Sequence, residues 1–251
     1  MSPSIEIETN GPVRTLWLNR PRINNAYDAE VLDALEVGIH DAERDATTRV
    51  VVIRGRGKSF CAGADIGWLA AEATWSLLAD RVSSVFRGIA ESSRITIAAV
   101  HGWTVAGGFE LMLACDFALA AEDARIGDFH IRNGLFGGAG VIYRLPRLVG
   151  PRKARELMLS GEILSGAEAK DWNLVNAVAP LDQLDRLVSD FTARFVDRSP
   201  EIVRLTKQAL IDAADADFES AAQIQRVTSD AVAQTAQARA GVAAFLEGHH
   251  G

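Results

Sequence analysis

Glu110 is a lone acid in an otherwise apolar segment, Ala106-Gly107-Gly108-Phe109-Glu110-Leu111-Met112-Leu113-Ala114. The run reads as a glycine loop opening into a buried helix, with the carboxylate in the first turn. Helix N-termini carry open N–H donors and a partial positive charge, which suit a developing anion. A second glycine loop, Cys61-Ala62-Gly63-Ala64-Asp65, also follows a short apolar strand. Either loop alone reads as a turn. Together they can aim two backbone N–H groups at one oxygen, and fixed donors around a forming oxyanion are commonly the largest single catalytic contribution. A thioester carbonyl turning into an enolate is one target of that kind. Gly55-Arg56-Gly57-Lys58-Ser59 imitates the end of a phosphate-binding loop, but Val52 stands where that motif needs glycine, and no helix start follows.

The elements that must hold these groups follow from pattern. Ile5 to Glu8 and Val13 to Leu18, around Asn10-Gly11-Pro12, predict a hairpin. Asp28 caps a helix to about Arg44 with Val31, Leu32, Leu35 and Ile39 on one face. Val50 to Ile53 is wholly apolar and β-branched, as a strand covered on both faces is, and Ile95 to Val100, an apolar run rich in β-branched residues, reads as a buried strand. Residues 68 to 92 read as one helix burying Trp68, Leu69, Leu77, Leu78, Val82, Val85 and Phe86. Short strands are expected at Phe117–Ala120 and Val175–Val178, and helices at Ala139–Leu148, Pro151–Leu159 and Ser165–Asp171. From Leu181 to Leu246 the pattern is helical throughout, with breaks at Ser199-Pro200 and Ala216-Asp217. The result is an α/β chain with a mixed region, residues 1–195, and a helical region, 196–251. No repeat is visible as sequence identity.

Composition sets outer limits. The chain has 251 residues, 48% hydrophobic and 24% charged, and a net charge of −7, which disfavours a nucleic-acid surface. Two cysteines, Cys61 and Cys115, imply no disulfide framework. The N-terminal stretch lacks the pattern of a signal peptide, and no apolar run has membrane-spanning length, so a cytoplasmic protein without a membrane partner is expected.

Several ordered motifs together resemble the crotonase (enoyl-CoA hydratase/isomerase) superfamily. They are Asn19-Arg20-Pro21, Phe60 to Ile66, Val100-His101-Gly102-Trp103, Ala106 to Glu110, Cys115-Asp116, Gly137 to Gly140, Arg144-Leu145-Pro146 and Leu148-Val149-Gly150. The resemblance implies a right-handed spiral of ββα units with a helical C-terminal assembly region, forming homotrimers or hexamers as dimers of trimers. It implies that Ala64 and Gly107 form the oxyanion hole and that Glu110 is the first catalytic glutamate. The second catalytic glutamate falls on His130, twenty residues after Glu110. Asn25, Ala26, Ala62, Asp65 and Ile66 lie where the family holds coenzyme A, with Lys58 and Arg22 as candidates for its phosphates. Trp68, Trp103 and Phe136 are the candidates for the acyl pocket wall. Coenzyme A enters as part of the substrate, with no tightly bound cofactor and no metal.

The reaction implied first is hydration of a 2-enoyl-CoA, with Glu110 activating water and His130 or a water protonating Cα. With histidine at the second acid position, double-bond isomerisation and thioester hydrolysis on the same site stay open, as does a non-catalytic acyl-CoA binder. Cys61 is read as small-residue packing, and His101, Asp65 and Asp116 as structural. The alanine-rich tail, with Ile224, Val227, Val242, Phe245 and Leu246, is expected to face partner subunits.

Overall fold

The computed structural model describes residues 3–71 and 75–248. The chain divides into two compact units, one up to Val196 and one from Asp197.

The first unit begins with the expected hairpin: β1 (Ile5–Asn10) pairs antiparallel with β2 (Val13–Leu18) around Gly11-Pro12. Helix α1 (Ala29–Arg44) starts at Asp28, whose Oδ1 accepts the Val31 N–H at 3.1 Å, and buries Val31, Leu32, Leu35 and Ile39. After it the chain repeats one course three times. The first course runs through β3 (Val50–Gly55), a single bridge between Cys61 and Thr104, and helices α2 (Ile66–Ala71) and α3 (Trp75–Glu91). The second runs through β4 (Ile95–Val100), β5 (Trp103–Val105) and α4 (Gly107–Ala114). The third runs through β6 (Phe117–Ala121), β7 (Arg125–Gly127) and α5 (Val141–Ser160), which is interrupted at Gly150. Then β8 (Leu164–Ser165), α6 (Gly166–Asp171), β9 (Ala177–Ala179) and α7 (Leu184–Thr192) complete the unit.

The first strand of each course joins a six-stranded sheet, ordered β1-β2-β3-β4-β6-β9 and parallel after the hairpin. The second strands form a small sheet, β5-β7-β8. The large sheet is buried through β4 and through β3 except at Arg54, which explains the apolar run Val50–Ile53 and the mostly apolar β4. The second strands lie side by side, Cys61 bridging to Thr104 and β5 pairing parallel with β7, so the loops carrying Gly63, Gly107 and His130 leave neighbouring positions.

Three local expectations are corrected. The span 68–92 is α2 and α3, and its residues 72–74 lie outside the described ones. Leu77 is 68% exposed, because it sits about 100° around α3 from Leu78 and so off the stripe of Leu78, Val82, Val85, Phe86 and Ile89. The last strand of the large sheet is Ala177–Ala179, two residues later than its apolar run suggests.

The second unit is helical: α8 (Pro200–Ala213), α9 (Phe218–Ala233) and α10 (Ala236–Gly248). Ser199 and Asp217 cap the first two, at the two breaks read from sequence. A third break at Gln234-Thr235 has no glycine or proline to announce it.

Candidate active site

A cavity of about 610 Å³ opens on the first unit, lined by residues of all three courses. Its reactive end is built by two loops. The Tyr27 N–H donates to the Gly63 carbonyl at 2.9 Å, and the Asp65 N–H donates to the Tyr27 carbonyl at 2.7 Å, so the peptide bearing Ala64 is held on both sides. Arg20 strengthens this junction, with its guanidinium 2.8 Å from Asp28 and 3.0 Å from Asp65. The other loop is drawn in by β5, where the Val105 N–H donates to the Cys61 carbonyl at 3.1 Å. The two loops touch: a Cβ on Gly63 would come within 3.0 Å of the Gly107 nitrogen. The N–H groups of Ala64 and Gly107 have no acceptor among the described residues. Two open backbone donors thus lie on adjoining loops, Ala64 in the cavity lining and Gly107 next to it.

Ala106 sets the aim of the second donor. It lies at φ 51°, ψ −125°, a region that alanine rarely occupies, and it is held there by its own N–H on the Gly127 carbonyl at 3.2 Å and by its carbonyl accepting the Glu110 N–H at 3.1 Å.

Glu110 is buried, 2% exposed, and its Oε1 accepts the Ala139 N–H at 2.7 Å and the Val141 N–H at 3.4 Å. Its Oε2 is left for the cavity. Burial raises its pKa, against the opposing pull of His130 and the two N–H donors. His130 opens a short 3-10 turn, His130–Asn133, and its Nε2 stands 3.9 Å from Glu110 Oε2. That separation is too long for a direct hydrogen bond, and it lets both atoms contact one oxygen of a small molecule. The other ring nitrogen, Nδ1, lies 2.7 Å from Asp128 Oδ1. Burial pulls the His130 pKa down, but the Asp128 hydrogen bond and the Glu110 charge outweigh it, and the net shift is upward. Asp128, 3% exposed, is a partner of His130 that sequence reading passed over; an acid two residues before the histidine was its signal.

The structure brings Glu110, His130, Ala64, Ala62, Ala26, Asp65, Ile66, Trp103 and Phe136 to the cavity wall, and Gly107 beside them. Four expected site residues lie elsewhere. The Asn25 side chain is spent inside the fold: Oδ1 accepts the Arg20 N–H at 2.8 Å, and Nδ2 donates to the carbonyls of Arg56 and Ser59 at 2.9 and 2.7 Å. Asn24 takes its place in the lining. Lys58 is exposed on the loop after β3, outside the lining, as is Arg22. Trp68 packs edge-on to Tyr27 at 6.4 Å, and Leu69, Leu78 and Val82 make the wall there. Cys61 is fully buried, and desolvation pushes its thiol up to about 12, so it is no nucleophile. The Asp116 carboxylate accepts from Thr96 N and Oγ1, and the buried His101 Nε2 meets the Gly57 carbonyl at 3.0 Å, so both make structural contacts away from the cavity. Among the described residues no group of three His, Cys, Asp or Glu is placed to hold a metal.

Residues 8–250 match the Enoyl-CoA hydratase/isomerase family. The chain belongs to this family. Two curated members of the enoyl-CoA hydratase/isomerase family are each 32% identical to it. One is the crotonyl-CoA hydratase of Syntrophomonas wolfei, with 97% of this chain and 95% of that protein covered. The other is the 2,3-dehydroadipyl-CoA hydratase of Escherichia coli, at 94% and 92%. The crystal structure of an enoyl-CoA hydratase from Mycobacterium smegmatis superposes with a TM-score of 0.93 at 32% identity, covering 98% of this chain and 97% of that one. The three repeated courses are therefore turns of the crotonase-type spiral that the motifs imply.

Proposed function

We propose that this enzyme is a hydro-lyase that adds water across the double bond of a 2-enoyl-CoA thioester. The observation that carries the reading is the pair Glu110 Oε2 and His130 Nε2, 3.9 Å apart in the wall of the cavity that Ala64 also lines, with the open Gly107 N–H on the adjoining loop. A water held between the two side chains loses a proton to the Glu110 carboxylate as its oxygen bonds to Cβ. The π electrons of the double bond move toward the thioester, and the carbonyl oxygen takes up enolate charge against the two N–H donors. As the enolate collapses, Cα takes the Nε2 proton of His130, whose Nδ1–H is held by Asp128. Glu110 then returns its proton to His130 across the same gap. The Glu110 carboxylate must be ionised and His130 protonated at the start, and the upward shift of His130 favours its half of that requirement.

The remaining roles follow from position. Ala26, Ala62, Asp65 and Ile66 flank the arm of coenzyme A, and Leu69, Leu78, Val82 and Leu135 give an apolar wall for a neutral hydrocarbon acyl group, with Trp103 and Phe136 beside it. Exposed apolar side chains on the helical unit, among them Leu210, Val227, Val242 and Leu246, support assembly as a trimer or a pair of trimers. We place the enzyme in the cytoplasm; no helix among the described residues is long and apolar enough to cross a membrane.

The test is product analysis with crotonyl-CoA. Hydration adds the mass of one water with the thioester intact. An unchanged mass with a moved double bond means isomerisation, and free coenzyme A means hydrolysis. Either would replace this reading, as would hydration by Glu110→Gln at the wild-type rate.

A further inference from the structure

Tyr27 touches both halves of the oxyanion site. Its main chain pins the first half, through the hydrogen bonds to Gly63 and Asp65 on either side of Ala64. Its side chain reaches the second half: a Cβ built on Gly107 would lie 2.1 Å from the Tyr27 hydroxyl, so that hydroxyl abuts the main chain at the first residue of α4. The ring is 3% exposed and fixed edge-on between Trp68, at 6.4 Å, and Phe86, at 5.8 Å. Tyr27 lines the cavity together with Ala64, Ala106 and Glu110. Its hydroxyl makes no hydrogen bond with a protein group among the described residues.

A buried phenol held rigidly at a cavity wall, without an internal acceptor, takes its acceptor from whatever fills the cavity. The Gly107 N–H beside it already selects what that is. We propose that the Tyr27 hydroxyl donates a third hydrogen bond to the oxygen of the bound acyl thioester, alongside the N–H groups of Ala64 and Gly107. The inference rests on the reading of the site as an acyl-thioester oxyanion hole. Burial first, then the nearby Glu110 and Cys61, push the phenol well above its ordinary range, so it stays a donor at every working pH. A rigid donor loses little on approaching an oxygen that gains charge, so its effect falls on turnover more than on binding.

The test uses cinnamoyl-CoA as a chromophoric probe and crotonyl-CoA as substrate. Donors on the carbonyl oxygen polarise the conjugated thioester and shift its absorption to the red on binding. Tyr27→Phe keeps the ring packing and removes only the hydroxyl. The expected result is a smaller red shift and a kcat lower by about 10- to 100-fold, with KM changed by less than about threefold. A full red shift and wild-type kcat in Tyr27→Phe overturn the role of Tyr27 and leave the function intact. A wild-type enzyme that binds the probe without any red shift overturns the oxyanion reading itself. Should the Phe variant melt early, 3-fluorotyrosine at position 27 keeps ring and hydroxyl and makes the donor more acidic. A larger red shift then supports the proposal, and an unchanged one overturns it.

Discussion

His130 Nδ1 lies 2.7 Å from Asp128 Oδ1, two residues upstream on the same tight turn. This pair decides what the histidine can do. With Nδ1–H committed to the buried carboxylate, the Nε2 atom is the one presented to the cavity and to Glu110. Asp128 also keeps the cation favourable in a place whose burial would otherwise expel it. A histidine at the position expected for a second acid is therefore equipped as one.

Removing that support should be visible in the pH profile. Asp128→Asn leaves an amide of the same shape that can also offer an N–H to Nδ1 and so favour the wrong tautomer. We expect kcat to fall by about 100-fold or more. The falling limb of kcat/KM against pH should move to lower pH, because the largest force raising the His130 pKa is gone. A variant with an unmoved falling limb would show that Asp128 only shapes the turn.

The wild-type profile itself is predicted to be bell-shaped. Activity rises as Glu110 ionises, at a pH above the ordinary glutamate range because burial holds its proton on. It falls as His130 loses its proton, above the ordinary histidine value of 6.5. Rates of crotonyl-CoA hydration across pH check both limbs. His130→Glu should erase the histidine limb, and a profile unchanged by that substitution would remove His130 from the chemistry.

Glu110→Gln separates activity from stability. The amide can still accept the Ala139 and Val141 N–H groups, but it cannot take a proton from water, so kcat should drop by about 100- to 10,000-fold. The folded carboxyl has a raised pKa, so the stability linked to this group is present below the ordinary glutamate range and lost as pH rises through its folded value. The variant has no such loss. Thermal midpoints should favour Glu110→Gln over wild type at pH 8 and converge toward acid pH. A variant that melts below wild type at pH 8 contradicts this assignment of strain to the buried charge.

Much of the scaffold was legible because burial writes itself in periodicity. The apolar runs of β3 and β4, the stripe of α1 and the Ser199 and Asp217 caps are all sequence-local signals. The strands β5, β7 and β8 span two or three residues, too few for a pattern, and they exist because the small sheet pairs them. The threefold course leaves no repeat of residues for a related reason, since what repeats is an order of elements, and only the ordered family motifs pointed to it. Within the site, Glu110 could be found from its apolar neighbours. Asp128 had only a weak local signal, an acid two residues before His130, and Tyr27 had none, since its side chain meets Gly107 from another course. Asn25 erred in the opposite direction. It has φ 55°, and its amide closes a loop, a use that composition alone does not distinguish from ligand binding.

Ala106 offers a test of how the oxyanion loop is held. At φ 51° and ψ −125° its Cβ is in a region that costs about 1 to 3 kcal/mol for a residue other than glycine. Ala106→Gly relieves that strain and adds about 0.5 to 1 kcal/mol of unfolded-state entropy, so the balance should favour the variant slightly. We expect its thermal midpoint to stay level or rise by about 1 to 4 °C, with hydration slowed less than tenfold. Ala106→Val places a β-branched side chain in the same conformation, and the loop must rotate away to accept it. Because the Gly107 N–H follows directly, the rotation re-aims the donor, so Val should lower both the midpoint and kcat, the latter by about 100-fold. The order Gly, Ala, Val in stability is the signature of a strained backbone. If Val matched Ala in midpoint and turnover, the conformation of Ala106 would not be what positions the oxyanion donor.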